Sequence, residues 1–141
     1  MRFVSASSQD TEILGESLGR RIQTPMVVAL RGALGTGKTA FTRGLARGLD
    51  VPDPVTSPTF ALVHEHMGRL PLFHFDLFRL TGPDDLFDIG WEDYLNRGGV
   101  CVVEWCERAY GALPPGIVNV ALEFDPKNTD RRIIVYDDFG A

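Results

Sequence analysis

An α/β domain with a mixed sheet is the fold this sequence predicts, and three stretches predict it. Met26-Val27-Val28-Ala29-Leu30 is a short, β-rich apolar run that leads through glycines into a helical pattern. Residues 61–66 and 72–77 read as strands joined by Met67-Gly68-Arg69, a connection that allows only an antiparallel pair. Val100-Cys101-Val102-Val103-Glu104, released by Gly98-Gly99, is a second buried run with an acidic end. With 141 residues, 44% of them hydrophobic, residues 1–141 are expected to form one domain around a sizeable core.

Taken in order, Arg2–Ser5 is short and suits an edge strand. Ser7-Ser8-Gln9-Asp10 offers capping groups before Thr11, Ile13, Leu14, Leu18 and Ile22, which recur at helical spacing. Gln23-Thr24-Pro25 ends that helix and delivers the chain into the first apolar strand. Ala40, Phe41, Leu45, Ala46 and Leu49 form the next helical stripe, to about Gly48. Val51-Pro52-Asp53-Pro54 is a rigid connection, since neither proline can continue a helix. After the antiparallel pair, Gly82-Pro83-Asp84-Asp85 caps a short helix and residues 91–96 suggest another. Leu113-Pro114-Pro115-Gly116 precedes two final strands, near 117–124 and 131–136, with a turn over 125–130.

Between the first buried strand and its helix stands Gly32-Ala33-Leu34-Gly35-Thr36-Gly37-Lys38-Thr39, a full match to G-x-x-x-x-G-K-[ST]. The glycines let the loop turn its amide N–H groups inward on an anion. Lys38 brings a point charge to the β- and γ-phosphates, and the Thr39 hydroxyl can ligate Mg²⁺. The helix that follows presents its positive end to the same anion. The flanks fit the motif on both sides, so a nucleoside triphosphate is the expected ligand, and the expected fold is a three-layer α/β/α domain of the P-loop NTPase kind.

Charge and composition narrow the rest. A net charge of −5 argues against a broad nucleic-acid surface, although Arg20, Arg21, Arg43 and Arg47 could form a local basic patch. No run of about 18 apolar residues is present, and the first residues lack the apolar centre of a signal peptide. Cys101 and Cys106 show no zinc spacing and read as buried thiols of a reducing compartment, so a cytoplasmic protein is expected.

Nucleotide hydrolysis needs a carboxylate near Mg²⁺ at a strand end beside the phosphate loop. Asp76 and Glu104 both end apolar runs, where ligands gather in open α/β sheets. Glu104 has the parallel setting expected there, whereas the strand of Asp76 follows a hairpin turn. Thr56-Ser57-Pro58-Thr59 is either an ordinary turn or a segment that orders around a γ-phosphate. His64 and His66 share a strand face and read as exposed polar residues rather than half a metal site. His74, between Phe73 and Phe75, is expected to pack or make one hydrogen bond.

Nearly the whole chain resembles the TsaE (YjeE) family, small bacterial P-loop ATPases of tRNA threonylcarbamoyladenosine synthesis. The resemblance rests on Thr11-x-x-Leu14-Gly15, on the phosphate loop continuing as Phe41-x-Arg43-Gly44, and on Ser57-Pro58-Thr59-Phe60. It extends through His74-Phe75-Asp76-Leu77-Phe78-Arg79-Leu80 and Val103-Glu104-Trp105. It implies a mixed-sheet P-loop domain that hydrolyses ATP weakly alone and works with TsaB and TsaD, reaching tRNA only through that complex.

At residue level it implies ATP contacts from Gly35, Thr36, Gly37, Lys38, Thr39 and Ala40, with Trp105 close to the nucleotide and Thr11 and Arg131 on the adenine side. It implies Mg²⁺ near Thr39, Asp76, Glu104 and Thr59, with Lys38, Asp76 and Glu104 serving hydrolysis. Ala33 stands where the family usually has Asp, Cys106 where Pro is common and His66 where Tyr is usual. Two other readings share the loop. One is a small-molecule kinase, which needs an acceptor pocket and an arginine-bearing lid. The other is a nucleotide-gated binding module without obligatory hydrolysis.

Overall fold

The computed structural model describes residues 1–56, 63–78, 80, 83–106 and 112–139. Its elements run β1 (Arg2–Ser5), α1 (Ser8–Arg21), β2 (Met26–Arg31), α2 (Lys38–Gly48), β3 (Val63–His66), β4 (Leu72–Asp76), α3 (Pro83–Asp88), α4 (Trp91–Leu95), β5 (Val100–Glu104), β6 (Val118–Asp125) and β7 (Asn128–Tyr136). The sheet order is β1-β7-β6-β2-β5-β4-β3. The central strands β6, β2, β5 and β4 are mutually parallel. β3 closes one side antiparallel to β4, while β7 and then β1 close the other by antiparallel pairing. The mixed sheet is as expected, with one correction. The antiparallel member of the β3–β4 hairpin is β3, so Asp76 ends a strand parallel to the one that feeds the phosphate loop.

Alternation along the central strands divides the core between two faces. Val28 and Leu30 of β2 pack with Leu14, Leu18, Phe41 and Leu45 of α1 and α2. Val27 and Ala29 point the other way, toward Phe75, Leu86 and Trp91 beneath α3 and α4. Burial on both faces is why β2 reads as a continuous apolar run rather than an alternating one. Ile13, counted in the α1 stripe from its spacing, is 54% exposed and lies off that face.

Local chemistry sets the helix starts. The Ser7 hydroxyl accepts the Asp10 N–H at 3.1 Å, and Asp10 Oδ2 accepts the Ala6 N–H at 3.0 Å, a reciprocal cap on α1. At the other ends of α1 and α2, Arg69 gathers three carbonyls. Its guanidinium donates to Ile22 O at 2.7 Å, Gly19 O at 3.0 Å and Gly48 O at 3.1 Å. A cation there also suits the negative ends of both helix dipoles.

Between these ends α1 and α2 touch backbone to backbone. A Cβ on Gly44 would lie 2.0 Å from Glu12 O, and one on Gly15 would lie 2.3 Å from Phe41 O. Gly19 and Gly48 repeat the contact one turn on. Only glycine fits such a crossing. The expected basic patch beside it is charge-compensated: Arg20 and Arg47 pair with Glu16, Arg43 with Glu12 and Arg21 with Asp138. No helix among the described residues is long and apolar enough to cross a membrane.

Gly44→Ala has to push the two helices apart and is expected to lose about 3 kcal/mol, the upper range for overpacking a tight core. Urea unfolding of wild type and variant measures it, and an unchanged midpoint would contradict the contact.

Candidate functional site

The phosphate loop joins the carboxyl end of β2 to the start of α2, and its backbone cannot be copied by ordinary residues. Gly35 has φ 84° and Gly37 has φ 101°, both in the left-handed region that disfavours side chains. Gly37 caps α2 without any side-chain hydrogen bond. The first helical hydrogen bond across this end runs from the Phe41 N–H to Gly37 O at 2.9 Å. By helix geometry the N–H groups of Lys38, Thr39 and Ala40 therefore lack intrahelical acceptors and point out of the helix end. Ala40 is buried and offers the site only its backbone.

The carboxyl ends of β4 and β5 reach the same place. Asp76 lies directly beside Glu104 in the parallel register of β4 and β5. Leu34, Gly35, Gly37, Lys38, Thr39, Asp76, Glu104 and Trp105 line one hollow of about 260 Å³. An amide-lined helix end, an ammonium, a hydroxyl and two carboxylates thus converge. The set can hold a polyanion and, through hard oxygen donors, a small divalent cation.

Lys38 is largely buried and has no carboxylate partner among the described residues. Its Nζ instead sits 4.1 Å from the centre of the Trp105 ring. Trp105 reaches that position with φ 58°, a left-handed conformation that costs a non-glycine residue about 1 kcal/mol. Its ring also packs against Phe78, 4.9 Å between centroids. A cation over an aromatic face is a weak partnership beside one with phosphate.

An adjoining hollow of about 170 Å³ shares Gly35 and Gly37 and adds Ser7, Ser8, Thr11, Thr36, Asp130 and Arg132. The structure therefore brings Thr11 and Thr36 to the phosphate loop. Arg131 is exposed and does not line this hollow, whereas its neighbour Arg132 does, donating to Gly35 O at 3.3 Å and stacking on Phe124. Thr59, with the rest of Ser57-Pro58-Thr59-Phe60, lies outside the described residues, as does Arg79.

Larger hollows hold less chemistry. One of about 470 Å³ lies at the amino ends of β2 and β5, with Glu92 as its only acidic or basic lining residue. Another of about 450 Å³ runs beside Val51-Pro52-Asp53-Pro54. Volume and chemistry disagree here, and the convergence of ionic groups makes the small hollow the candidate site.

The spacing of His64 and His66 is corrected in part. They do share a face, with rings 6.2 Å apart, but His66 is buried rather than exposed. Burial, then the neighbouring His74 and His64, push its pKa below the ordinary histidine value, against an opposing pull from Asp53. Among the described residues no three His, Cys, Asp or Glu side chains gather as a metal-holding group. One partnership went unread in the sequence: His74 Nε2 lies 2.5 Å from Glu104 Oε2, both side chains buried.

With this geometry established, known proteins supply a family. The model described as "Threonylcarbamoyl adenosine biosynthesis protein TsaE" matches residues 5–134. This chain belongs to the TsaE family. A tRNA threonylcarbamoyladenosine biosynthesis protein TsaE of Treponema pallidum (strain Nichols) is 47% identical over 122 residues, which is 86% of this chain and 90% of the relative. A protein of the same name from Bacillus subtilis (strain 168) is 32% identical over 124 residues, 87% of this chain and 77% of the relative. The crystal structure of Bacillus subtilis YdiB aligns with TM-score 0.80 at 28% identity, over 99% of this chain and 86% of that one. The expected family and the mixed α/β fold both hold.

Both thiols are buried. Burial pushes the Cys101 thiol up to about 12, so almost none of it is thiolate at pH 8. Iodoacetamide at pH 8 is expected to leave Cys101 unmodified in the native protein and to alkylate it after unfolding. Peptide mapping reads the result.

Proposed function

We propose that this chain binds ATP with Mg²⁺ and hydrolyses it in the cytoplasm, in support of tRNA N6-threonylcarbamoyladenosine modification, working with TsaB and TsaD. One observation carries the reading: Lys38, Thr39, Asp76 and Glu104 line a single hollow at the open end of α2. Family membership supports the pathway, since relatives bear the name tRNA threonylcarbamoyladenosine biosynthesis protein. The net charge of −5 suits an accessory that leaves RNA contact to its partners.

In this reading the loop amides and the α2 end cradle the phosphates, and Lys38 leaves the Trp105 ring for phosphate oxygens. The base lies toward Thr11 and Arg132. Thr39, Asp76 and Glu104 are the residues that would hold Mg²⁺, directly or through water. Their hard oxygens fit it, and so sparse a protein shell suits a cation that keeps its waters and the nucleotide's own oxygens. The metal, when bound, neutralises charge on the phosphates. Glu104 accepts a hydrogen bond from the attacking water, and Asp76 links that end of the site to β3 through β4. Thr59 is proposed as the residue that senses the γ-phosphate.

Reconstitution with TsaB and TsaD, following phosphate release and modified tRNA together, tests the whole reading. A phosphorylated acceptor formed in step with ADP would instead mean a kinase.

Lys38→Ala removes the ammonium but leaves the backbone cradle, so ATP affinity by calorimetry is expected to fall about 10- to 100-fold. Glu104→Gln is expected to bind ATP nearly as wild type and to lose turnover by about 100-fold or more in single-turnover hydrolysis. Wild-type rates in that variant, with and without partners, would remove Glu104 from the chemistry.

Trp105 is expected to report nucleotide entry through its fluorescence, because its ring loses the Lys38 ammonium. Trp91 is expected to stay silent, fully buried against Phe75 on the face of the sheet away from α2, with its indole N–H on Ala112 O. A Trp105→Phe variant that kept the full signal would contradict the assignment.

A further inference from the structure

We propose that His74 is a positioning residue for Glu104, fixing which carboxylate oxygen faces the hollow; the inference rests on the hydrolysis reading above. His74 sits opposite Val102 in the parallel register of β4 and β5, while Asp76 sits opposite Glu104. Side chains two residues apart on a strand share a face, so His74 and Glu104 are diagonal neighbours on the α2 side of the sheet. The two side chains are 0% and 5% exposed, and the Nε2···Oε2 separation is 2.5 Å. Water does not compete for such a contact.

The chemistry of the pair fixes the direction of the bond. A carboxylate oxygen accepts, so Nε2 carries the hydrogen and donates it. Oε2 is thereby committed to the interior. No described residue donates to Oε1, and Glu104 lines the hollow with Thr39, Lys38 and Asp76. One oxygen is tied down and the other is left for the site. A carboxylate on an unrestrained glutamate would share its rotamers between those orientations, only some of which face the reacting water.

The other ring nitrogen argues that the position is held for this bond and not for packing. Nδ1 is buried and has no hydrogen-bond partner among the described residues. A buried polar atom without a partner destabilises the fold, and the flanking Phe73 and Phe75 show that apolar side chains suit this strand. Leucine at position 74 would serve the core better. What it could not do is hold Oε2. Residues that break a local rule in a core without structural benefit mark functional positions, and the benefit here lies one hydrogen bond away, on Glu104.

Four variants test the inference: H74L, H74Q, E104Q and the double variant H74L with E104Q. Glutamine carries its amide N–H near the place of Nε2, whereas leucine carries none. ATP–Mg²⁺ affinity by calorimetry and single-turnover phosphate release are measured on each. H74L is expected to lose turnover about 10- to 100-fold with ATP affinity within about two-fold of wild type. H74Q is expected to recover most of that loss, and H74L is expected to add no further loss once Glu104 is already Gln. Long-range proton–nitrogen spectra are expected to show His74 as the Nε2–H tautomer, with that nitrogen's shift moving in E104Q.

If H74L does not fold, H74Q against H74N makes the comparison, because asparagine is as polar but too short to reach Oε2. Wild-type turnover in H74L, or equal losses from H74L with Glu104 present and with Glu104 replaced, overturns the inference alone. An Nδ1–H tautomer does the same. A wild-type protein that releases no phosphate, even with its partners, overturns the hydrolysis reading and this inference with it.

Discussion

A helix cannot satisfy its own first amides, and this protein leaves that problem open on purpose at α2. At α1 a side chain closes the helix start, the Ser7 hydroxyl accepting the Asp10 N–H. At α2 the capping position is Gly37, with no side chain to offer and a left-handed φ that turns the loop back over the helix end. The open donors are free to meet water or an anion. The strand before the loop, the glycines within it and the burial of Ala40 beneath it all serve to hold that open end still.

Around the open end the charges are arranged so that they do not cancel one another. Lys38 rests on an aromatic face rather than on Asp76 or Glu104, although all three line the same hollow. A lysine–carboxylate ion pair would be far harder to separate than a lysine–indole contact, because a partly desolvated ion pair has to be broken at full electrostatic cost. The strained backbone of Trp105 puts its ring where it can do this. Glu104 instead hydrogen-bonds the His74 ring inside the sheet.

The local parts of this design were legible in the sequence. The phosphate loop, the Ser7 cap, the apolar strands β2 and β5, and Glu104 at a strand end all follow from patterns a few residues long. Pairings made across long stretches of chain were harder to read. The hairpin turn at Met67-Gly68-Arg69 suggested that Asp76 ended the odd strand. The crossover through α3 and α4 makes β4 parallel and leaves β3 as the odd one. Which of Arg131 and Arg132 lines the hollow beside the loop turned on one residue of register. The β6–β7 ladder shifts between Phe124 and Asp125, which brings Arg132 opposite Phe124, and a slip of one flips every side chain to the other face. The arginine patch dissolved because its three acidic partners, Glu12, Glu16 and Asp138, are spread between the face of α1 and the far end of the chain. His74 showed only an odd polar residue between two phenylalanines, and nothing in its own neighbourhood names a partner thirty residues on.

The glycine contact between α1 and α2 also decides how the molecule can move. Packed helices usually accommodate a change of ligand by shear, sliding a little on a layer of side chains that swap rotamers. Here the layer is missing, since the Gly15 and Gly44 backbones touch carbonyls of the opposite helix. Arg69 pins the far ends of both helices to each other as well. Sliding would drive carbonyl oxygens into Cα atoms at once, so the pair moves as one body. The open end of α2 is thus a fixed reference, and whatever moves around the hollow moves against it.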